Sequence, residues 1–157
     1  MAAPFRRRSG FTLIEILMVV IILGVLATII IGLFNNSSSD AATNSLKDNL
    51  RAIRGQIEVY YAQHGSYPAL ATFTSQMTQY TDASGTTSTS PSAAYHYGPY
   101  ILSMPALPVG VNKGLTTVTG TTYTDGYGWE YDATTGTFKA NCKDTEVDQQ
   151  GNVYSTF

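Results

Sequence analysis

Between residues 11 and 34 the chain reads FTLIEILMVVIILGVLATIIIGLF, an apolar run that carries one charge, Glu15. From Ile16 to Phe34 there are 19 residues without a charged side chain, long enough to cross a bilayer as a helix. A carboxylate at the centre of such a helix costs about 2.5–3.5 kcal/mol even on the mildest insertion scale. Glu15 lies instead near the start of the run, where it can stay at headgroup level and face the positive end of the helix dipole. Arg6, Arg7 and Arg8 stand just before the run, so the positive-inside rule keeps residues 1–10 in the cytoplasm and sends the chain after about residue 35 across. A secretory signal peptide fits poorly. Its apolar region has about 7–15 residues and ends in small residues, whereas Phe34 is followed by Asn-Asn-Ser-Ser-Ser-Asp.

The 157 residues leave room beyond that run for one small globular head. Without residues 1–10 the chain holds 6 basic and 11 acidic side chains, a net charge of −5. That balance argues against nonspecific nucleic-acid binding, which draws on clustered Lys and Arg. Cys142 is the single cysteine, so neither an internal disulfide nor a Cys-rich zinc site can form; a small, partly buried residue is expected there.

Ser9-Gly10-Phe11-Thr12-Leu13-Ile14-Glu15, following a basic leader, resembles the processing site of type IV prepilins and pseudopilins. The resemblance implies that a prepilin peptidase cuts between Gly10 and Phe11 on the cytoplasmic side and methylates the new amine. Glu15 then becomes the fifth residue of the mature chain. Cleavage places a positive amine at a helix N-terminus whose unpaired N–H groups already present positive charge, and a carboxylate must offset it. In a filament the amine of one copy meets Glu15 of its neighbour, and mispaired copies leave both charges uncompensated at a cost of several kcal/mol. Glu15 is therefore expected to determine assembly. Gly24, Thr28 and Gly32 recur every fourth residue and offer a face for close helix packing. Many members of that family carry proline at the place of Gly32, and their helix is thought to loosen between the equivalents of Gly24 and that proline during assembly; glycine could also permit it.

Beyond the polar residues 35–40 the helical period resumes. Leu46, Leu50, Ile53, Ile57 and Tyr60 form one apolar stripe, while Lys47, Asp48, Arg51, Arg54 and Glu58 take the solvated faces. The expectation is a nearly continuous helix from Phe11 to Gln63, 53 residues and roughly 80 Å at 1.5 Å per residue. Gly65 ends it in a left-handed conformation, Tyr67 folds back on the last turn, and Pro68 blocks continuation. The stretch from Tyr60 to Pro68 resembles the helix end of major pseudopilins of type II secretion systems. This divides the chain into a removed leader (1–10), a transmembrane and assembly helix (11–34), its amphipathic continuation (35–64) and a periplasmic β-rich head (65–157).

In the head, residues 69–94 are punctuated by Thr, Ser and Gly, and Thr81 to Ser92 reads as a mobile low-complexity loop. Tyr95–Met104 and Leu115–Tyr123 read as short strands, and residues 127–141 as a hairpin turning at 132–136 that places Trp129 and Phe138 in the core. The fold class is α+β, a pilin-like long helix packed on a small antiparallel sheet.

Catalytic chemistry has little to stand on. His64 and His96 have no nucleophile at a suitable spacing, and no P-loop or dinucleotide fingerprint occurs. The chain is expected not to be an enzyme. Asp144, Glu146 and Asp148, before Gly151, form an alternating acidic loop that could offer oxygen ligands to calcium. The resemblance supports calcium near this end of the chain, although the residues do not match the family's ligand pattern one by one.

The resemblance implies a structural subunit of a pseudopilus for type II secretion. Its partners would be the prepilin peptidase, copies of itself and other pseudopilins, an inner-membrane assembly platform and membrane lipid, with a cytoplasmic ATPase supplying energy. The rivals are a type IV pilin for adhesion, motility or DNA uptake, and a single-pass anchored binding protein or enzyme. Type IV pilins commonly carry a C-terminal disulfide loop, which one cysteine cannot form. The anchored-protein reading predicts an uncut N-terminus and indifference to Glu15→Ala.

Overall fold

The computed structural model describes residues 10–157, with the backbone alone at Ile29 and residues 31–36. Apart from Gly10, the expected leader lies outside the described residues. The chain divides into two units at Ser38, and helix α1, Leu13–His64, contributes to both. The long helix expected from the sequence is present, starting two residues later and ending one residue later than read.

In the first unit the large apolar side chains from Phe11 to Leu26, and Ile30, all stand exposed, Leu13 at 85%. Among the described residues no helix is long and apolar enough to cross a membrane.

The second unit, Ser39–Phe157, is built on the remainder of α1. Its apolar stripe of Leu46, Leu50, Ile53, Ile57 and Tyr60 is buried throughout, at the heart of a core completed by Phe73, Met77, Leu107, Trp129, Tyr131 and Phe138. Burying a large apolar side chain contributes about 1.5–3 kcal/mol, so this stripe is a main source of the head's stability. The helix stops as the residue chemistry predicts. Gly65 takes φ +72°, its N–H donates to the Tyr61 carbonyl at 2.8 Å, and the Tyr67 ring folds back to 4.5 Å from that of Tyr61. Arg54 ties α1 to the rest of the head: its Nε donates to the Phe138 carbonyl at 2.9 Å and its Nη2 to the Phe157 backbone oxygen.

Strands β1 (Tyr80–Thr81) and β2 (Thr87–Ser88) pair antiparallel, and a second sheet has the order β3 (Val118–Thr119), β4 (Trp129–Asp132), β5 (Thr137–Ala140). The expected hairpin is β4–β5, with Tyr131 opposite Phe138 and Trp129 opposite Ala140, which turns all four side chains to the core. Asp132 fastens the turn, accepting from the Thr134 N–H and the Thr135 hydroxyl at 2.8 Å each.

Three expectations are corrected. The sheet is mixed, because β3 runs parallel to β4. The cause is the loop between them, which Asn141 clamps by donating to the carbonyls of Thr124 and Tyr127 and accepting from the Thr124 N–H, so that β4 begins beside the start of β3. Residues 95–104 form no strand. They make one bridge, Thr81 to Tyr97, and then the N–H groups of Tyr100 and Ile101 turn to the Met77 carbonyl; Pro99 has no N–H to offer a ladder. Within residues 69–94 lies a helix, α2 (Phe73–Thr78), which buries Phe73, Gln76 and Met77. Buried Gln76 bridges the Ala69 N–H and the Gly85 carbonyl, and the Asp82 carboxylate gathers the N–H groups of Ser84 and Thr86, giving the polar stretch after Thr81 a defined hairpin.

Candidate functional site

The site predicted for processing begins at Gly10, which is exposed and outside any helix or strand. A Cβ added there would meet nothing within 4 Å, and its φ lies outside the left-handed region. Among the described residues nothing therefore requires glycine at this position. Phe11 follows, 80% exposed, so the Gly10–Phe11 peptide is open to approach.

Two residues on, the chain enters α1 through a capping box. The Thr12 hydroxyl accepts the N–H of Glu15 at 3.3 Å, and the Glu15 carboxylate accepts the N–H of Thr12 at 3.4 Å. The Thr12 N–H thereby gains an acceptor, the Glu15 N–H is shared between the Thr12 hydroxyl and the Thr12 carbonyl at 3.1 Å, and an anion is held at the positive end of the dipole. The charge of Glu15 is legible in the sequence, but its pairing with Thr12 was missed. The signal was available, since Thr-x-x-Glu before an apolar run is a helix-start signature.

Residues 5–31 match the family described as the prokaryotic N-terminal methylation motif. The chain carries that motif. Within the described part of the motif lie the open Gly10–Phe11 junction, the capping box and the uncovered apolar surface of α1. The chain is also similar to the type II secretion system core protein G of Pseudomonas aeruginosa, with 36% identity over 64 residues, 41% of this chain and 45% of that one. It is similar to the core protein G of Klebsiella pneumoniae, at 33% over 63 residues, 40% of this chain and 45% of that one. The core protein G of Dickeya chrysanthemi is likewise 33% identical over 63 residues, 40% and 41% of the two chains. The chain spans less than half the length of these curated relatives. No solved structure matches it.

Further along the motif, Gly24 lies in α1 with nothing within 4 Å of an added Cβ, so this surface is open to a close approach. The Thr28 hydroxyl donates to the Val25 carbonyl at 2.7 Å, which satisfies it within its own helix. The surroundings of Gly32 lie outside the described residues.

The acidic loop is organised around backbone donors. Glu146 accepts from the Val111 N–H through one oxygen and the Lys143 N–H through the other, at 2.5 and 2.7 Å. Asp148 accepts from the N–H groups of Gln150 and Asn152 and from the Asn152 side chain. Burial raises the Asp148 pKa, but these donors and the charge of Lys47 outweigh it and leave the carboxyl below its ordinary value. Asp144 accepts from the Ser155 hydroxyl at 3.2 Å. Among the described residues no group of three or more His, Cys, Asp or Glu is placed to hold a metal ion. Cys142 is buried, and burial together with the nearby Glu146 pushes its pKa up to about 12, a setting for an inert thiol.

Proposed function

We propose that this chain is a pseudopilin, a structural subunit of a type II protein secretion system. In this reading a prepilin peptidase cuts between Gly10 and Phe11 and methylates the Phe11 amine. The apolar half of α1 then spans the inner membrane, with residues 1–10 on the cytoplasmic side before cleavage and the head in the periplasm. Copies leave the membrane to join a filament, together with other pseudopilins and an assembly platform, and the chain's role is structural rather than catalytic.

The observation that carries the reading is the methylation motif, whose junction residues are exposed and whose glycine answers no need among the described residues. A glycine with no internal reason suits an external one, recognition by the peptidase. The uncovered apolar side chains after Phe11 supply the surface by which lipid, and then other copies, would hold the subunit. The spanning part of the proposal rests on the uncharged sequence Ile16–Phe34 and on the printed names of the similar proteins.

Intact-mass and N-terminal peptide spectrometry, with and without a co-expressed prepilin peptidase, tests it. A chain beginning at N-methylated Phe11 only when the peptidase is present is the expected result. A chain beginning at Met1 under both conditions overturns it. Calcium at Asp144, Glu146 and Asp148 is a separate question for titration calorimetry, since an ion there would share the oxygens of Glu146 and Asp148 with the N–H donors they already accept.

A further inference from the structure

One groove of the second unit, about 450 Å³ in volume, is lined by ten residues of which none is charged, although the unit carries 6 basic and 10 acidic side chains. A volume of about 300–1,000 Å³ is ordinary for a site that takes a small molecule. One wall is the turn Leu70–Thr72 with the outward side of α2, and the other is the sheet edge at Thr117 and Val118, with Tyr127 beside them. Both walls are fixed from behind. Phe73, Gln76 and Met77 hold α2 in the head, while the Thr117 carbonyl accepts the N–H groups of Gly128 and Trp129 and its hydroxyl donates to the Gly126 carbonyl at 3.0 Å. Leu70 reaches across to the end of β3, since a Cβ added at Gly120 would come within 2.5 Å of its Cδ2.

The lining offers two kinds of surface. Tyr127 and Leu70, 38% and 39% exposed, and half-buried Val118 are its apolar part. Hydroxyls and an amide stand around them. Ser75 and Thr78 spend their protons on the carbonyls of Thr72 and Thr74, at 2.9 and 2.7 Å, which leaves their oxygens as acceptors. The Thr74 hydroxyl and the Gln79 side-chain amide have no partner among the described residues, and that amide both donates and accepts. The backbone adds to this. With the Trp129 N–H on the Thr117 carbonyl, the alternation of a parallel ladder turns the N–H and carbonyl of Val118 away from β4, to the open edge of the sheet.

We infer that this groove binds a neutral saccharide chain. A pyranose ring carries a face of C–H groups, which an aromatic ring attracts through the negative charge of its own face, and a rim of hydroxyls that each donate and accept. The groove sets a tyrosine among uncommitted donors and acceptors, which is the complement of both. Other occupants fit less well. An ion would be stripped of water with no opposite charge in the lining to meet it. An extended peptide joining as an added strand would have β3 to pair with, and two residues are too short an edge to hold its register. The inference concerns the head alone and is independent of the secretion reading.

The test uses the whole chain in a zwitterionic detergent, because a glycoside detergent would compete, with the tetramers of glucose and of N-acetylglucosamine as probes. Titration calorimetry is expected to give a saturable isotherm with at least one tetramer, and saturation-transfer NMR to show the ring C–H protons of that probe receiving magnetisation from the protein. Tyr127→Ala should weaken binding roughly tenfold, and Tyr127→Phe, which keeps the ring, should stay within about twofold of the unaltered chain. Gln79→Ala, which leaves the hairpin untouched, should weaken binding roughly fivefold at an unchanged melting temperature of the head. Failure of both tetramers to bind, or equal binding by the unaltered chain and the Tyr127→Ala and Gln79→Ala variants, overturns the inference. Preference for an uncharged octapeptide of alternating Thr and Val over both tetramers also overturns it, in favour of an added strand.

Discussion

Thr12 and Glu15 hold each other: the hydroxyl of the first takes the N–H of the second, and the carboxylate of the second takes the N–H of the first. Glu15 is thus engaged within its own chain before any neighbour arrives. A filament contact to the Phe11 amine would have to share or replace the Thr12 N–H as its partner. The Thr12→Val variant keeps the shape of the side chain and removes the hydroxyl acceptor, leaving the Glu15 N–H only the Thr12 carbonyl, at a cost of about 1 kcal/mol to the first turn. Amide exchange at Glu15, measured in detergent micelles, is expected to quicken roughly fivefold while exchange in the 46–60 segment stays unchanged.

A second prediction concerns the clamp that makes the sheet mixed. Asn141 is 1% exposed and uses its amide on Thr124 and Tyr127, while neighbouring Asn112 donates to the carbonyls of Asn141 and Thr124. Replacing Asn141 with Leu leaves the Thr124 N–H and two carbonyls without this partner. Each such loss costs about 1–3 kcal/mol, so chemical denaturation should show the head less stable by about 2–4 kcal/mol, with local water recovering part of the sum.

Acid should act through the turn carboxylates. The Thr134 N–H first, and then the Thr135 hydroxyl, hold the Asp132 carboxyl below its ordinary value of 3.8, and the Ser84 hydroxyl and the Thr86 N–H lead in doing the same at Asp82. A depressed folded pKa contributes stability that is present above the unfolded value and lost as the pH falls through the folded one. The melting temperature should therefore drop between about pH 5 and pH 2. Asp132→Asn keeps an acceptor in the turn without a titrating group, so its melting temperature should fall less over the same window. An equal fall in both would sink the assignment.

The buried thiol makes a simpler forecast. With its pKa pushed up to about 12, Cys142 should resist iodoacetamide in the native head near pH 8 and react at once when guanidinium unfolds it. Native labelling at a free-thiol rate would show that this corner of the head opens.

What could be read from the sequence follows the range of the forces. The α1 stripe and the β4–β5 hairpin declare themselves through the helical period and the alternation of Trp129, Tyr131 and Phe138, because each residue's partner face is set by its near neighbours. Strand β3 has two residues, and its direction is decided by Asn141, more than twenty positions away, which no local pattern announces. Helix α2 hides for a similar reason. Its six residues are rich in Thr, Ser and Gln, and only Phe73 and Met77 meeting the core, with Gln76 bridging Ala69 and Gly85, make a helix of them. At the amino end Thr12 was passed over beside the charge it serves. In the acidic loop the spacing of Asp144, Glu146 and Asp148 shows three carboxylates but not that the last two turn their oxygens to backbone N–H groups.

Among the described residues the packed core reaches back along α1 no further than Ala42. Substitutions among the exposed apolar side chains from Phe11 to Leu26 remove no member of that core, so a melting curve of the head is a poor reporter of them, and substitutions in the core fall where an assembly assay first reports misfolding. The two halves of the chain answer to different assays, and a variant silent in one has been questioned about only half of its sequence.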